Sequence, residues 1–434
     1  MQVSLLEIDE DHHHYLNKDV MGGYGMRADF GSSFLARILS YQKKKSVKIP
    51  VFAFGYLAAI FKKYGHRVSY FKNEIPRGAD IVLISSSIVD YKNELKWTKE
   101  VKAKTGAKVG FFGPFASTFP EIYLSAADFV IVNEPEAAIK KIAEEKNVPG
   151  GIIISQPFDN LDDLPMPDWQ IFPWQNFSYR PLIKAKPFFV VLSSRGCAMN
   201  CYYCPYKNYY GGVKSRTANS VVRELSYLKE NFKMKAVQFR DPIFTANRNR
   251  ILEICQLIQD QNLDFIWGCE THVNCLDKEL IDVMFKAGLR SINLGIESAD
   301  QEVLKDATRI SAGSQKETEI INYCHRQGIN VAAFYILGLP NDTRESMQKT
   351  LDYAKTLNTI VAQFFVCTPF PKTPFYNEIK QDITETDWQK FNSFSLVFKH
   401  KNLTAKEVTD FLQKAWRSYY FRPRYIWRHF KNLL

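Results

Sequence analysis

SSRGCAMNCYYCPY, residues 193–206, sets Cys197, Cys201 and Cys204 in a Cys-x3-Cys-x2-Cys run directly after the apolar, strand-like stretch Phe188 to Leu192. Short loops of this kind curl round an iron–sulfur cluster, and thiolate is the ligand such clusters take. No fourth cysteine follows at motif spacing. Three thiolates would therefore hold three irons of a 4Fe–4S cluster and leave the fourth open to a substrate or cofactor, whereas clusters held by four cysteines serve electron transfer. A structural zinc site wants four closed ligands, and no histidine lies close by.

Beyond this loop, apolar strand-like runs alternate with amphipathic helices. MKAVQFRD, FIWGCETHV, SINLGIES, NVAAFYILGLP and TIVAQFFVCTPFP read as strands, with helices predicted over 220–232, 278–287, 317–327 and 344–357. Counted from Phe188 these make six strand units, which close naturally into a partial (β/α)6 barrel with its working groups at the strand C-termini. Asp241, Glu270, His272, Glu297 and Ser298 all follow apolar runs there. Each has a plainer reading: Asp241 as a cap for the next helix, Glu297 as an ion-pair partner of Arg309 or Arg290, His272 as a hydrogen-bonded core residue.

The cysteine spacing, with aromatic Tyr203 just before the last cysteine, resembles the radical S-adenosylmethionine (SAM) superfamily. The likeness continues through Gly295 to Ser298, the Gly338-Leu339-Pro340 turn and the PFPKTP segment at 369–374. It implies that the open iron chelates the amino and carboxylate groups of SAM, and that an electron from the cluster splits the sulfonium to release a 5′-deoxyadenosyl radical. It further implies SAM contacts from Tyr203, Asp241, Glu270, Glu297, Ser298, Ile336 and Gly338. Two departures stand out: strand two ends in Arg240-Asp241 rather than Gly-Gly-Glu, and Lys372 replaces a glycine in the PFPKTP loop.

Upstream, from about Lys48, PVFAFGYLAAIFKKYGHRVSYF predicts a helix ending near Gly65 and then a short strand. ADIVLISSS, KVGFFGP and ADFVIVNEPE read as further strands, with helices over YKNELKWTKEVKAKTG and residues 136–145. Such alternation predicts a parallel, Rossmann-like sheet whose ligands sit at the strand carboxyl ends. Those ends are Ser85-Ser86-Ser87, Gly113-Pro114 and Asn133-Glu134-Pro135-Glu136, small residues that allow close approach of a large flat ligand. GFFGPFASTFPEIYLSAADFVIVNEPEAAI is similar to the cobalamin-binding domain found upstream of radical SAM domains. The resemblance implies cobalamin held by Ser85, Ser86, Gly113, Pro114, Asn133 and Glu134. Phe115 and Asn133 stand where that subfamily often has His and Gly, and no Asp-x-His-x-x-Gly motif occurs. A Rossmann-like domain without a cofactor is the alternative.

The α/β chain thus divides into a Rossmann-like, cobalamin-binding-type domain (1–155), a Pro- and Asp-rich linker (156–186), a radical SAM barrel (187–385) and a C-terminal helical tail (386–434). In MGGYGMRADFGSS, Gly22, Gly23, Gly25 and Gly31 have no strand directly before them, a weak nucleotide-loop signal. His12, His13 and His14 read as a solvated turn.

The 434 residues, 46% hydrophobic, suffice for two or three domains with real cores. No apolar run approaches the roughly 18 residues of a membrane span, and the N-terminus lacks a basic leader, so the expected location is cytoplasmic. Five scattered cysteines beyond the motif fit a reducing compartment. Net charge is +11, and after Asp410 there are six cations, interleaved with aromatics, and no acid. That pattern predicts a C-terminal helix with aromatics docked on the barrel and cations in water; it also suits peripheral contact with an anionic bilayer or a phosphorylated substrate. No nucleic-acid partner is expected. The implied reaction is methylation of an unactivated carbon of a small-molecule or lipid-like substrate, with a reductant such as flavodoxin or ferredoxin; a dehydratase, cyclase or rearrangement enzyme is the alternative.

Overall fold

The computed structural model describes residues 1–9, 15–28, 41 and 43–433, with side chains through His429. His12, His13, His14 and Gly31 lie outside the described residues.

Two six-stranded parallel sheets organise the chain. The first contains β1 (Gln2–Glu7), β2 (Arg67–Lys72), β3 (Ile81–Ser85), β4 (Lys108–Phe112), β5 (Phe129–Val132) and β6 (Gly151–Ile154), in spatial order β2-β1-β3-β4-β5-β6. The alternating helices predicted from the sequence form at Ala53–Lys63, Tyr91–Thr105 and Glu136–Glu145. Phe54, Leu57 and Phe61 of the first recur at helical spacing and are fully buried, which is why it lies on the sheet.

β1, like β6, is a strand the sequence reading passed over. It pairs with both β2 and β3 and buries Val3, Leu5 and Leu6. A short antiparallel hairpin, Tyr15–Asn17 with Met26–Ala28, then brackets the glycine loop. The loop does follow strands, against expectation, because a three-residue strand is too short to leave a periodic signal.

The Pro-rich stretch 156–186 is packed rather than loose. Trp169, Phe172 and Phe177 are buried, and the Trp169 indole donates to Glu224 at 3.3 Å. Ser178–Tyr179 pairs antiparallel with Val47–Lys48.

The second sheet runs β7 (Phe188–Val191), β8 (Ala236–Phe239), β9 (Ile266–Thr271), β10 (Leu289–Glu297), β11 (Asn330–Leu337) and β12 (Val361–Val366), in that order in space. Sequential parallel neighbours with a helix in each connection give an open barrel. Among the described residues no strand pairing joins β12 back to β7. The gap is spanned by the chain's own segments: Tyr179 stacks on Phe188 of β7 with ring centroids 5.8 Å apart, and Lys43 bonds to Gln363 of β12.

The tail forms helices Ala405–Tyr420 and Pro423–Leu433, the first opened by a Thr404–Glu407 capping box. Tyr419 and Tyr425 are buried and donate to the carbonyls of Thr359 and Ile360. Lys414, Arg417, Arg424 and Arg428 are exposed, as expected, and so is Trp427. No helix of the described residues is long and apolar enough to cross a membrane.

Candidate active site

A cavity of about 1090 Å³ occupies the barrel and its mouth, walled by both halves of the chain. Cys197, Cys201 and Cys204 line it, on the loop that leaves β7. No group of three His, Cys, Asp or Glu side chains among the described residues closes on a single metal ion. A cluster asks for a wider set, since each thiolate takes its own iron. Burial pushes the Cys204 thiol up to about 12 and raises Cys197. Arg309 opposes the rise at Cys197: its guanidinium lies 3.6 Å from Cys201 Sγ, donates to the Gly295 carbonyl at 2.8 Å and sits 3.4 Å from Glu297.

Glu297 itself takes a left-handed backbone, φ +66°, at an irregularity in the β10–β11 register. Gly295 leaves room for the Glu297 and Arg309 side chains, because a Cβ there would stand 2.5 Å from Glu297 Oε1 and 2.9 Å from the Arg309 guanidinium. Glu297, Glu270, Tyr203 and Ile336 all line the cavity. Burial raises both carboxyls, while Arg309 and Arg240 respectively pull them down.

Three sequence-derived candidates are turned elsewhere. Asp241 is fully buried and accepts from Ser193 N at 2.7 Å and Ser194 Oγ at 2.8 Å. It ties the cluster loop's root to β8 and does not line the cavity. Its neighbour Arg240 does, paired with Glu270 and donating to the Asp19 carbonyl. Adjacent strand residues point to opposite faces, so the alternation Gln238, Arg240 against Phe239, Asp241 was the signal available. Ser298 is buried against Thr350, 3.1 Å away. Gly338 holds φ +72° at the Leu339-Pro340 turn, facing Val408 rather than the cavity.

His272 also lines the cavity, but it bonds the Ile310 carbonyl at 2.8 Å and accepts from Asn274 N; burial holds it down to about 4 and hence neutral. Lys372 adopts φ +66°, so the loop keeps the backbone a glycine would give it. Asp19 was missed altogether: it lines the cavity, and burial raises its carboxyl to about 7. Its loop is anchored by Lys18, whose ammonium meets Glu94 at 2.5 Å and Asp90 at 3.2 Å in the first sheet.

The crest of the first sheet is closed by its own chain. Ser86 Oγ accepts from Ala116 N at 3.0 Å, and a Cβ on Gly113 would stand 2.9 Å from that oxygen. Gly23 packs on Pro114, and Gly22 on the backbone of Tyr206. Tyr209 donates to the Asn133 carbonyl at 2.8 Å. Glu134 and Glu136 are taken by Arg195, at 2.5 and 2.7 Å, with all three side chains buried. None of Ser85, Ser86, Gly113, Pro114, Asn133 and Glu134 lines the cavity, which begins on the other side of Gly22, Gly23 and the short helix Tyr206–Tyr210.

Residues 191–354 match the sequence model of the radical SAM superfamily. The chain carries a radical SAM domain. An uncharacterised methyltransferase of Pyrococcus horikoshii is 26% identical over 396 residues, 86% of this chain and 83% of the relative. An anaerobic magnesium-protoporphyrin IX monomethyl ester cyclase of Cereibacter sphaeroides is 29% identical over 280 residues, 62% of this chain; the match spans 44% of the cyclase. Among solved structures, the radical SAM methyltransferase TsrM of Kitasatospora setae, with cobalamin and a [4Fe–4S] cluster bound, superposes with TM-score 0.64 at 15% identity, covering 87% of this chain and 78% of that one. That likeness shows a shared fold of upstream sheet and barrel.

The residues of this domain fit a cluster and SAM. Three thiols share one cavity with charged and apolar groups suited to an amino acid and an adenine. The crest fits cobalamin in residue type, and its upper face is covered by Gly23 and Tyr209.

Proposed function

We propose that this radical SAM enzyme is a cobalamin-dependent methyltransferase acting on an unactivated carbon. The observation that carries the reading is the single cavity reaching from the three cysteines to residues of the upstream domain, Asp19 to Gly23. Two ligands brought to facing edges of two parallel sheets would meet there. That the Pyrococcus relative and TsrM are both named methyltransferases supports methyl transfer, and TsrM's bound cobalamin supports the cofactor.

When bound, the cluster delivers the electron that cleaves SAM, and cobalamin carries the methyl group. One SAM gives up its methyl and leaves as S-adenosylhomocysteine; a second leaves as methionine and 5′-deoxyadenosine, whose new C–H hydrogen comes from the substrate. Two electrons per turnover come from a reductant such as flavodoxin or ferredoxin. The chain's own part would be to hold: three thiolates would take irons, Glu297 and Glu270 would meet the polar groups of SAM, and Tyr203 and Ile336 would exclude water beside them.

A second reading, a radical SAM cyclase that transfers no methyl, is favoured by the identity to the Cereibacter enzyme and by the covered crest. Anaerobic reconstitution followed by absorbance spectra and product analysis separates the two. Cobalamin bands together with S-adenosylhomocysteine and 5′-deoxyadenosine are expected. 5′-Deoxyadenosine alone, with no S-adenosylhomocysteine, overturns methylation.

A further inference from the structure

The cavity has two ends of different chemistry. Near the cysteines its carboxylates are matched by arginines, Glu270 by Arg240 and Glu297 by Arg309. At the other end, where the chain spans the gap between β12 and β7, the wall is apolar, built from Val47, Leu182, Phe334, Val361, Trp416 and Tyr420. The charged groups that line this end are cations: Lys43, Lys45, Arg180 and Lys184.

Lys43 is half-buried and lines the cavity. Its Nζ donates to Gln363 Oε1 at 2.5 Å and lies 5.6 Å from the centre of the Tyr15 ring. Among the described residues no carboxylate pairs with it. An ammonium can only donate, so it fixes the Gln363 amide with its oxygen towards Lys43. Gln363 Nε2 is left buried and without a hydrogen-bond partner. A half-buried cation beside a buried, unused N–H is costly unless an acceptor completes the pair. Burial holds the Lys43 ammonium down to about 8, the direction an absent anion predicts.

We propose that this end of the cavity is an anion subsite, where Lys43 Nζ and Gln363 Nε2 hold the carboxylate of an otherwise apolar substrate whose body lies along the aliphatic and aromatic wall towards the cluster loop. One ammonium and one amide match the two oxygens and single charge of a carboxylate; a phosphate would leave oxygens unmatched. Gln363 lies four residues before Cys367 at the mouth of β12, about 13 Å along the strand. The carbon presented to the radical is therefore remote from the carboxylate by roughly that distance. The inference rests on the proposed function only in taking this cavity as the substrate's.

The test is calorimetric titration of the anaerobically reconstituted protein with oleate, oleyl alcohol and oleyl phosphate, each below its micelle concentration. Oleate is expected to bind about tenfold tighter than oleyl alcohol, the size of a hydrogen-bonded charge contact. Lys43→Met should erase that preference while leaving the alcohol's affinity unchanged, and Lys43→Arg should keep most of it. Equal affinities for oleate and the alcohol, failure of all three probes to bind, tighter binding of the phosphate, or an equal loss for acid and alcohol in Lys43→Met would each overturn the subsite. 5′-Deoxyadenosine and S-adenosylhomocysteine are measured on the same preparations. Discrimination for oleate without S-adenosylhomocysteine sinks methyl transfer and leaves the subsite standing; both products without discrimination sink the subsite alone.

Discussion

The two parallel sheets present the same kind of edge, and the chain treats the two edges in opposite ways. At the first, groups singled out from the sequence are met from within: Glu134 and one oxygen of Glu136 by Arg195, Ser86 by Ala116 N, the Asn133 carbonyl by Tyr209, with Glu136 Oε2 buried and unmatched. At the second, three thiols, Glu297, Glu270, Arg240 and Arg309 border open space, and Gln363 keeps a donor unused. The general rule that ligands gather at strand carboxyl ends marks both edges equally. What separates them is whether the chain itself covers the groups there or leaves them bordering the cavity.

The comparison is broken most directly at the cysteines. Replacing Cys197, Cys201 or Cys204 with Ala should abolish the cluster's visible absorbance and reduce 5′-deoxyadenosine formation to background, with the first sheet's stability unchanged. Retained absorbance in all three variants would show that the second edge does not hold a cluster.

At the first edge the largest effect should be on stability. Arg195→Met leaves Glu134 and Glu136 buried and uncompensated, a loss of about 3–5 kcal/mol read by urea denaturation. Combining it with Glu134→Gln and Glu136→Gln should recover most of the loss. If the single variant unfolds no earlier than the unaltered protein, the closed crest is not held by this pair of contacts.

This contrast also explains what the sequence disclosed. The strands and helices of both sheets were legible because buried parallel strands are long apolar runs and their helices repeat at helical spacing, as in Ala53–Lys63 and Arg344–Leu357. The cysteines were legible because spacing along one short loop is spacing in space. Asp241 and Arg240 were exchanged because a polar pair at a strand end says nothing of which member faces inward. Asp19, Arg309 and Lys43 were invisible as site residues. They reach the cavity from a hairpin loop, from the far side of β10 and from the span across the barrel gap, and only long-range packing joins them.

A smaller effect sharpens the second edge itself. Glu297→Gln keeps the side chain's shape but removes the charge beside Arg309, and should raise the KM for SAM about tenfold, with a lesser change in kcat. Ser298→Ala, one residue on but turned to Thr350, should change neither. Equal effects of the two substitutions would mean that the cavity-facing side of β10 does not select SAM.

The smallest expected effect bears on whether the closed edge opens. Tyr209 spans from the helix after the cluster loop to the Asn133 carbonyl, so a corrin seated on the crest has to displace that contact. Tyr209→Phe removes one hydroxyl-to-carbonyl bond, worth about 1 kcal/mol, and should tighten hydroxocobalamin binding about fivefold in an absorbance titration of the reconstituted protein. The sign decides more than the size. Tighter binding makes Tyr209 part of a cover that the cofactor lifts. Weaker binding makes its hydroxyl one of the groups that hold the cofactor, and the two edges would then differ in how they are filled rather than in whether they are.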